Sequence, residues 1–171
     1  RGFSHILGYV SYPQIDKNGF YWRLNIEGQT GHEKKYQDLL QGDRGLKLVE
    51  TNALLEPQSE NVINPPADGD NLVLSIDGGV QGVLADAIHE MIQNFGYTGG
   101  AGAIMDVHNG ELLSIVSLPE VDLSVIADGQ DVETIQEYFS DPDNPFLNRA
   151  VSGLYTPGST VKPFIALGML N

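Results

Sequence analysis

The sequence predicts an α+β protein: a strand-rich first region followed by an incomplete mixed α/β domain. Three observations carry this. Residues up to about Ala67 are irregular and rich in short strand-like runs. "NPPADGD" (Asn64 to Asp70) is dense in Pro, Gly and Asp and marks a boundary. Beyond it the pattern becomes regular, as strand, helix, hairpin and helix, which is the pattern of a sheet with packed helices.

The first region is read element by element. "HILGYVS" (His5 to Ser11) has strand composition. "TGHEKKYQDLLQG" reads as a short helix, in which Thr30 and Glu33 fit a capping box and Gly42 suits a left-handed C-terminal cap. "GLKLVET" (Gly45 to Thr51) is the next strand. After the boundary, "NLVLSID" (Asn71 to Asp77) reads as a buried strand, and Asp77 caps the helix that follows. Val80, Val83, Leu84, Ala87, Ile88, Met91, Ile92 and Phe95 recur at helical spacing and form one wide apolar face, closed by Gly96. "AGAIMDVHNGELLSIVSLP" then reads as a hairpin turning at Asn109-Gly110, where positive φ is favoured. Apolar residues on both faces of its strands point to a central sheet position with a layer on each side. "QDVETIQEYF" is a short helix, "SDPDNPFLNRAVSGLYTPG" a long polar connection, and "STVKPFIALGMLN" the start of a buried helix.

Composition narrows the function. A net charge of −14 over 171 residues argues against a nucleic-acid footprint, which requires a basic face. With no cysteine there is no disulfide, thiol catalysis or thiolate-bound metal. His5, His32, His89 and His108 lie at no metal-ligand spacing and are expected in turns and on exposed faces. The pattern therefore asks for no metal and no cofactor. "GYTGGAG" (Gly96 to Gly102) lacks the lysine of a phosphate loop and reads as a flexible lead into the hairpin. No apolar run approaches the roughly 20 residues that span a bilayer. The chain opens on Arg1 and closes inside an apolar helical pattern. A piece of a longer protein is expected, with any membrane anchor upstream.

Chemistry concentrates in "YTPGSTVKPF" (Tyr155 to Phe164). A serine three residues before a lysine arises by chance in about every second chain of this length. A serine after Pro-Gly is also an ordinary helix cap. Three features favour a reactive pair. Helical positions i and i+3 share a face, so the Lys162 amine can approach the Ser159 hydroxyl. A lysine at a helix N-terminus opposes the dipole, which disfavours its charged form. Burial would favour the neutral amine further, and a neutral amine can take a proton from serine. The same helix end offers backbone N–H groups to a developing oxyanion.

The flanking residues resolve the ambiguity through a resemblance. "PGSTVKP", "NPFLNRAVSGLYTPGST", "AGAIMDVHNGELLSIVSLPEVD" and "LVLSIDGGVQ" resemble, in order and spacing, segments of the class B penicillin-binding proteins, the monofunctional peptidoglycan D,D-transpeptidases. "FSHILGYVS" and "GHEKKYQDLLQGDRG" resemble the pedestal region of the elongation-type members. The resemblance implies a pedestal-type region over 1–67 and the N-terminal part of a transpeptidase domain over 68–171. It implies peptidoglycan cross-linking by serine acyl transfer from D-Ala-D-Ala stem peptides, with β-lactams as mimics of the donor. Ser159 takes the place of the nucleophile, and Lys162 that of its base, a role argued over in related enzymes. Asn148 and Arg149 match an approach segment read as structural. Implied partners are the stem peptide, β-lactams and membrane-anchored elongation proteins, at a periplasmic location tied to the inner membrane by an upstream segment.

Departures from the family pattern sharpen the expectation. The S-x-N and K-[ST]-G motifs belong downstream of the nucleophile, and only nine residues follow Lys162. Ser59-Glu60-Asn61 fits S-x-N as a string but precedes the boundary and is read as a decoy. Val107 and His108 replace a common Pro and polar residue, and "EVDLSVI" lacks the frequent D-P-N. This stretch alone is therefore expected to be inactive. The other readings are a pedestal interaction module that docks elongation partners, and a β-lactam sensor or β-lactamase relative, against which the pedestal-like front argues.

Overall fold

The computed structural model describes residues 1–17, 21–23, 25–54 and 56–170. The first region comprises α1 (Ser4–Leu7), β1 (Val10–Ser11), β2 (Gln14–Ile15), β3 (Tyr21–Arg23), β4 (Glu27–Gly28), α2 (Gly31–Lys35), α3 (Gln37–Leu40), β5 (Leu46–Thr51) and β6 (Pro57–Asn64). Its strands form antiparallel pairs, β1 with β4, β2 with β3 and β5 with β6. The second region comprises α4 (Gly78–Phe95), β7 (Gly100–Met105), β8 (Leu112–Leu118), α5 (Leu123–Asp128), α6 (Val132–Ser140), a 3₁₀ turn (Gly158–Val161) and α7 (Lys162–Leu170).

Several local expectations give way to tertiary contacts. "HILGYVS" is not one strand. Its first residues form the single turn α1, because the Glu120 carboxylate gathers the Gly2 N–H at 2.6 Å, the Ser4 N–H at 3.2 Å and the Ser4 hydroxyl at 2.7 Å. The helix from Gly31 breaks at Tyr36 into α2 and α3. Thr30 is its N-cap residue but makes no side-chain cap bond. Gly31, at φ +59, turns the backbone left-handed where the capping box needs a helical residue. "GLKLVET" is β5 as expected, and its partner β6 pairs Leu48 with Asn61 and Glu50 with Ser59.

"NLVLSID" is extended but not a ladder strand. It touches β8 only at its end, where the Ser75 hydroxyl donates to the Leu112 carbonyl at 2.8 Å and the Asp77 N–H to the Leu113 carbonyl at 2.9 Å. Val73 is 90% exposed, so this is no buried strand.

The helix that follows matches expectation at both ends. The Asp77 carboxylate accepts from the Gly79 and Val80 N–H groups, and Gly96 closes α4 in the left-handed region. Its apolar stripe divides. Leu84, Ile88 and Ile92 pack against Val116 and Leu118 of β8 and form the core together with Ala85, which lies outside the stripe, whereas Val83, Ala87, Met91 and Phe95 are exposed.

The expected hairpin is β7–β8, antiparallel, with Gly102 opposite Val116. Its loop is built on Asp106, whose carbonyl accepts from the Gly110 N–H. Of Asn109 and Gly110, only Gly110 has positive φ. Among the described residues the sheet has two strands, covered by α4. Val116 and Ser114 of β8 are fully buried, while β7 is largely exposed. The helix in "QDVETIQEYF" is α6, capped by Asp131; α5, capped by Asp122, is an addition to the sequence reading.

Candidate active site

Ser159 and Lys162 lie at the two ends of one tight turn. Gly158 enters it at φ +56, a left-handed conformation that glycine adopts without steric cost. Gly158–Val161 then winds as a 3₁₀ turn, and the Lys162 N–H donates to the Ser159 carbonyl. In 3₁₀ geometry residues i and i+3 eclipse, so the two side chains leave on the same face. Ser159 is not a cap: the N-cap position belongs to Pro157, and the 3₁₀ turn has no side-chain cap bond. The hydroxyl that binds locally is that of Thr160, which donates to the Pro157 carbonyl. Pro163 falls in the first turn of α7, where its missing N–H costs little.

Both residues are exposed, and no hydrogen bond between Ser159 Oγ and Lys162 Nζ is formed. The expected buried helix is likewise exposed, with Phe164 at 72% and Met169 at 81%. Beyond Lys162 the apolar segment forms a helix with no element over it among the described residues.

The approach to the turn is firmly held. The Ser117 hydroxyl of β8 donates to the Leu147 carbonyl at 3.1 Å and accepts from the Arg149 N–H at 2.9 Å. The Arg149 guanidinium donates to the carbonyls of Asp143 and Asn144. The Asn148 carbonyl accepts from the N–H groups of Val151 and Ser152. The Arg149 side chain thus organises the loop, whereas Asn148 contributes through its backbone carbonyl. Ser59-Glu60-Asn61 lies within β6, where the Ser59 hydroxyl donates to Glu50, and joins no site with Ser159.

Behind this loop sits a joint that the sequence reading missed. His5 is not an exposed histidine. Burial, the largest influence, lowers its pKa, partly opposed by the nearby Pro119 carbonyl and the Glu120 carboxylate. His89 is half-buried rather than exposed. For Glu120, burial pushes the carboxyl up. The N–H of Gly2, the hydroxyl and N–H of Ser4 and the terminal amine outweigh it and hold the group below the ordinary range. A histidine after "FS" and a glutamate after "LP" give no sequence signal for this pairing across more than a hundred residues.

The strand-rich first region and the second region with its helix-covered hairpin and serine–lysine turn each match a known protein domain. Residues 1–74 match the penicillin-binding protein dimerisation domain, and residues 100–171 match the penicillin-binding protein transpeptidase domain. The chain belongs to the penicillin-binding proteins.

It is 34% identical to peptidoglycan D,D-transpeptidase MrdA of Acinetobacter baumannii over 99% of its own length and 25% of that protein's. Against MrdA of Escherichia coli K12 it is 28% identical, covering 98% of this chain and 27% of the relative. The solved complex between penicillin-binding protein PBP2 and MreC from Helicobacter pylori aligns with a TM-score of 0.71 and 36% identity, covering 98% of this chain and 30% of that one. The chain thus spans about a quarter of the length of the curated relatives it matches.

Proposed function

We propose that this chain supplies the nucleophile half of a peptidoglycan D,D-transpeptidase active site. Ser159 attacks the carbonyl of the penultimate D-Ala, the D-Ala–D-Ala peptide bond breaks, and the terminal D-Ala leaves with a proton on its amine as the acyl-enzyme forms. Lys162 takes the hydroxyl proton, and the acyl group then passes to an amine on a neighbouring strand. One observation carries the reading: the 3₁₀ turn joins the backbones of Ser159 and Lys162 and puts both side chains on one accessible face. The match of residues 100–171 to the transpeptidase domain supports it. The Ser159 N–H is proposed as one oxyanion donor.

The remaining parts of the reading follow from the same family. Residues 1–67 form a non-catalytic pedestal and residues 68–171 the N-terminal part of the transpeptidase domain. The working protein acts at the periplasmic face of the inner membrane, in cell-wall elongation. Residues 1–171 alone do not turn over substrate, because no S-x-N or K-[ST]-G follows Lys162. Intact-mass measurement of the parent protein with a penicillin tests the assignment. A stable adduct on Ser159, lost in Ser159→Ala, is expected, and an adduct that persists in that variant overturns it. Rapid release of the adduct would mark a β-lactamase instead.

A second reading concerns the pedestal. The Helicobacter pylori relative is solved in complex with MreC, and β5–β6 here projects a fully exposed hairpin carrying Leu46, Leu48, Val62 and Ile63. The proposal is that this region docks a membrane-anchored elongation partner. Loss of MreC capture in Leu48→Glu/Val62→Glu, with penicillin labelling intact, is the expected result. Undiminished capture in that double variant overturns it.

A further inference from the structure

Between the anchored approach and the turn that carries Ser159, the means of support changes. Ser117 of β8 is buried and holds the loop at Leu147 and Arg149. The Asn148 carbonyl then closes a turn on the N–H groups of Val151 and Ser152. Past that turn, among the described residues, no hydrogen bond ties residues 153–156 to any other part of the chain. Leu154 is 99% exposed and packs on nothing. Hydrogen bonds therefore do not carry the placement of β8 forward to Ser159.

An aromatic ring bridges this gap. A Cβ added at Gly153 would strike Cε2 of the Tyr155 ring, would lie 2.9 Å from its Cζ, and would lie 2.6 Å from the Arg149 carbonyl oxygen. Ring and carbonyl together fill the space that a side chain at 153 needs. Gly153 is not among the glycines with positive φ, so close approach is what calls for glycine here. The ring is thus seated beside Arg149, the residue whose N–H Ser117 receives. The chain beyond Tyr155 has little freedom of its own. Thr156 precedes a proline, which disfavours its helical region. Pro157 has a fixed φ, here −67, and the 3₁₀ turn starts at Gly158. Fixing Tyr155 therefore goes far toward fixing Ser159, four residues on.

We propose that Tyr155 is a positioning residue for acylation: its ring, seated on Gly153 beside the Arg149 carbonyl, sets where the Ser159 turn stands relative to β8. The inference rests on Ser159 being the nucleophile. The role belongs to the ring and not to the hydroxyl, since Cε2 and Cζ are the atoms that meet Gly153. Displacement of a reacting group by about 1 Å costs up to about a hundredfold in rate, so a loosened turn is felt in the acylation step.

Stopped-flow acylation of the parent protein by a penicillin, run well below the melting temperature of each variant, tests the proposal. Tyr155→Ala should lower the limiting acylation rate about tenfold. The half-saturating penicillin concentration should move less than about twofold, and melting should barely change, because the side chain is 65% exposed. Tyr155→Phe, which keeps the ring, should stay within about twofold of the native rate. Gly153→Ala expels the ring and should slow acylation at least as much as Tyr155→Ala. The double variant should be no slower than Gly153→Ala alone, since the two changes break one contact. Native-rate acylation in Tyr155→Ala overturns the proposal, as does a double variant slowed by the product of the two single effects. The Tyr155 variants decide the matter alone if Gly153→Ala fails to fold. Ser159→Ala keeps the premise separate. If its adduct is lost while Tyr155→Ala acylates at the native rate, the positioning role alone fails; if its adduct persists, the nucleophile assignment and the proposal fail together.

Discussion

The β5–β6 and β7–β8 hairpins have the same backbone construction and opposite fates. Both are antiparallel pairs with one irregularity or more in register. Every residue of β5 and β6 is exposed, whereas β8 holds Ser114, Val116, Ser117 and Leu118 among the most buried residues of the chain. The difference is α4. It lies across β8 and brings Leu84, Ala85, Ile88 and Ile92 to the hairpin, while among the described residues no helix covers β5–β6. Ladder hydrogen bonds can shape a ribbon, but removal of apolar surface from water is what anchors it.

The largest way to break this contrast is at Gln81. Its amide donates to the carbonyls of Gly2 and Ile115 and accepts from the Ser114 hydroxyl at 2.8 Å and the Ile115 N–H at 2.9 Å. That fills both donor and both acceptor positions in a fully buried site. Gln81→Ala should cost about 3 kcal/mol, since it leaves several buried groups unpaired, as measured by urea unfolding. A loss below about 1 kcal/mol would show that the helix–hairpin contact does not rely on it.

Gly99→Ala comes next. A Cβ there would sit 2.5 Å from Arg149 Nε and 2.7 Å from the Leu118 carbonyl oxygen. It would push on both the end of β8 and the loop before Ser159. About 2 kcal/mol of destabilisation is expected from the overpacking, together with slower acylation of the parent protein by a penicillin. Unchanged melting and acylation would sever β8 from that loop.

Asp77→Ala removes the α4 cap and should cost about 1 kcal/mol, with Asp77→Asn recovering most of it in the same unfolding assay. The smallest effect belongs to the other hairpin. Leu48→Ser on β5, at a 52% exposed position, should change stability by less than about 0.5 kcal/mol. A loss above about 2 kcal/mol would mean that β5–β6 has a covered face after all.

The same contrast explains what could be read from the sequence. α4, its cap, its stop and the hairpin beneath it are written locally, in Asp77, the 3.6-residue stripe, Gly96 and the turn at Gly110. Gln81 was invisible because a polar residue on a helix is ordinarily solvated. Its burial depends on Gly2 and Ser114, which lie far away in sequence. α1 was read as a strand for a related reason: its short turn is organised by Glu120, more than a hundred residues on. Of the candidate site, the serine–lysine spacing was legible, but the 3₁₀ turn that sets their shared face was not, because a single-turn helix and an α-helical start share the same residues. The exposure of Phe164 and Met169 was equally hidden, since an apolar helix reads the same with or without a covering layer.

The Gly2–Gln81 and Ser4–Glu120 bonds carry a consequence for how the protein is divided. A cut at Ala67, natural in sequence, would take Gly2 and Ser4 away from the groups that receive them in the second region. That region wears the chain's first residues as part of its own surface, so the two halves are interleaved rather than strung in series. Mechanical load applied to the N-terminal end would therefore be felt first at Gln81 and Glu120, beside β8, before it reached the strands of the first region.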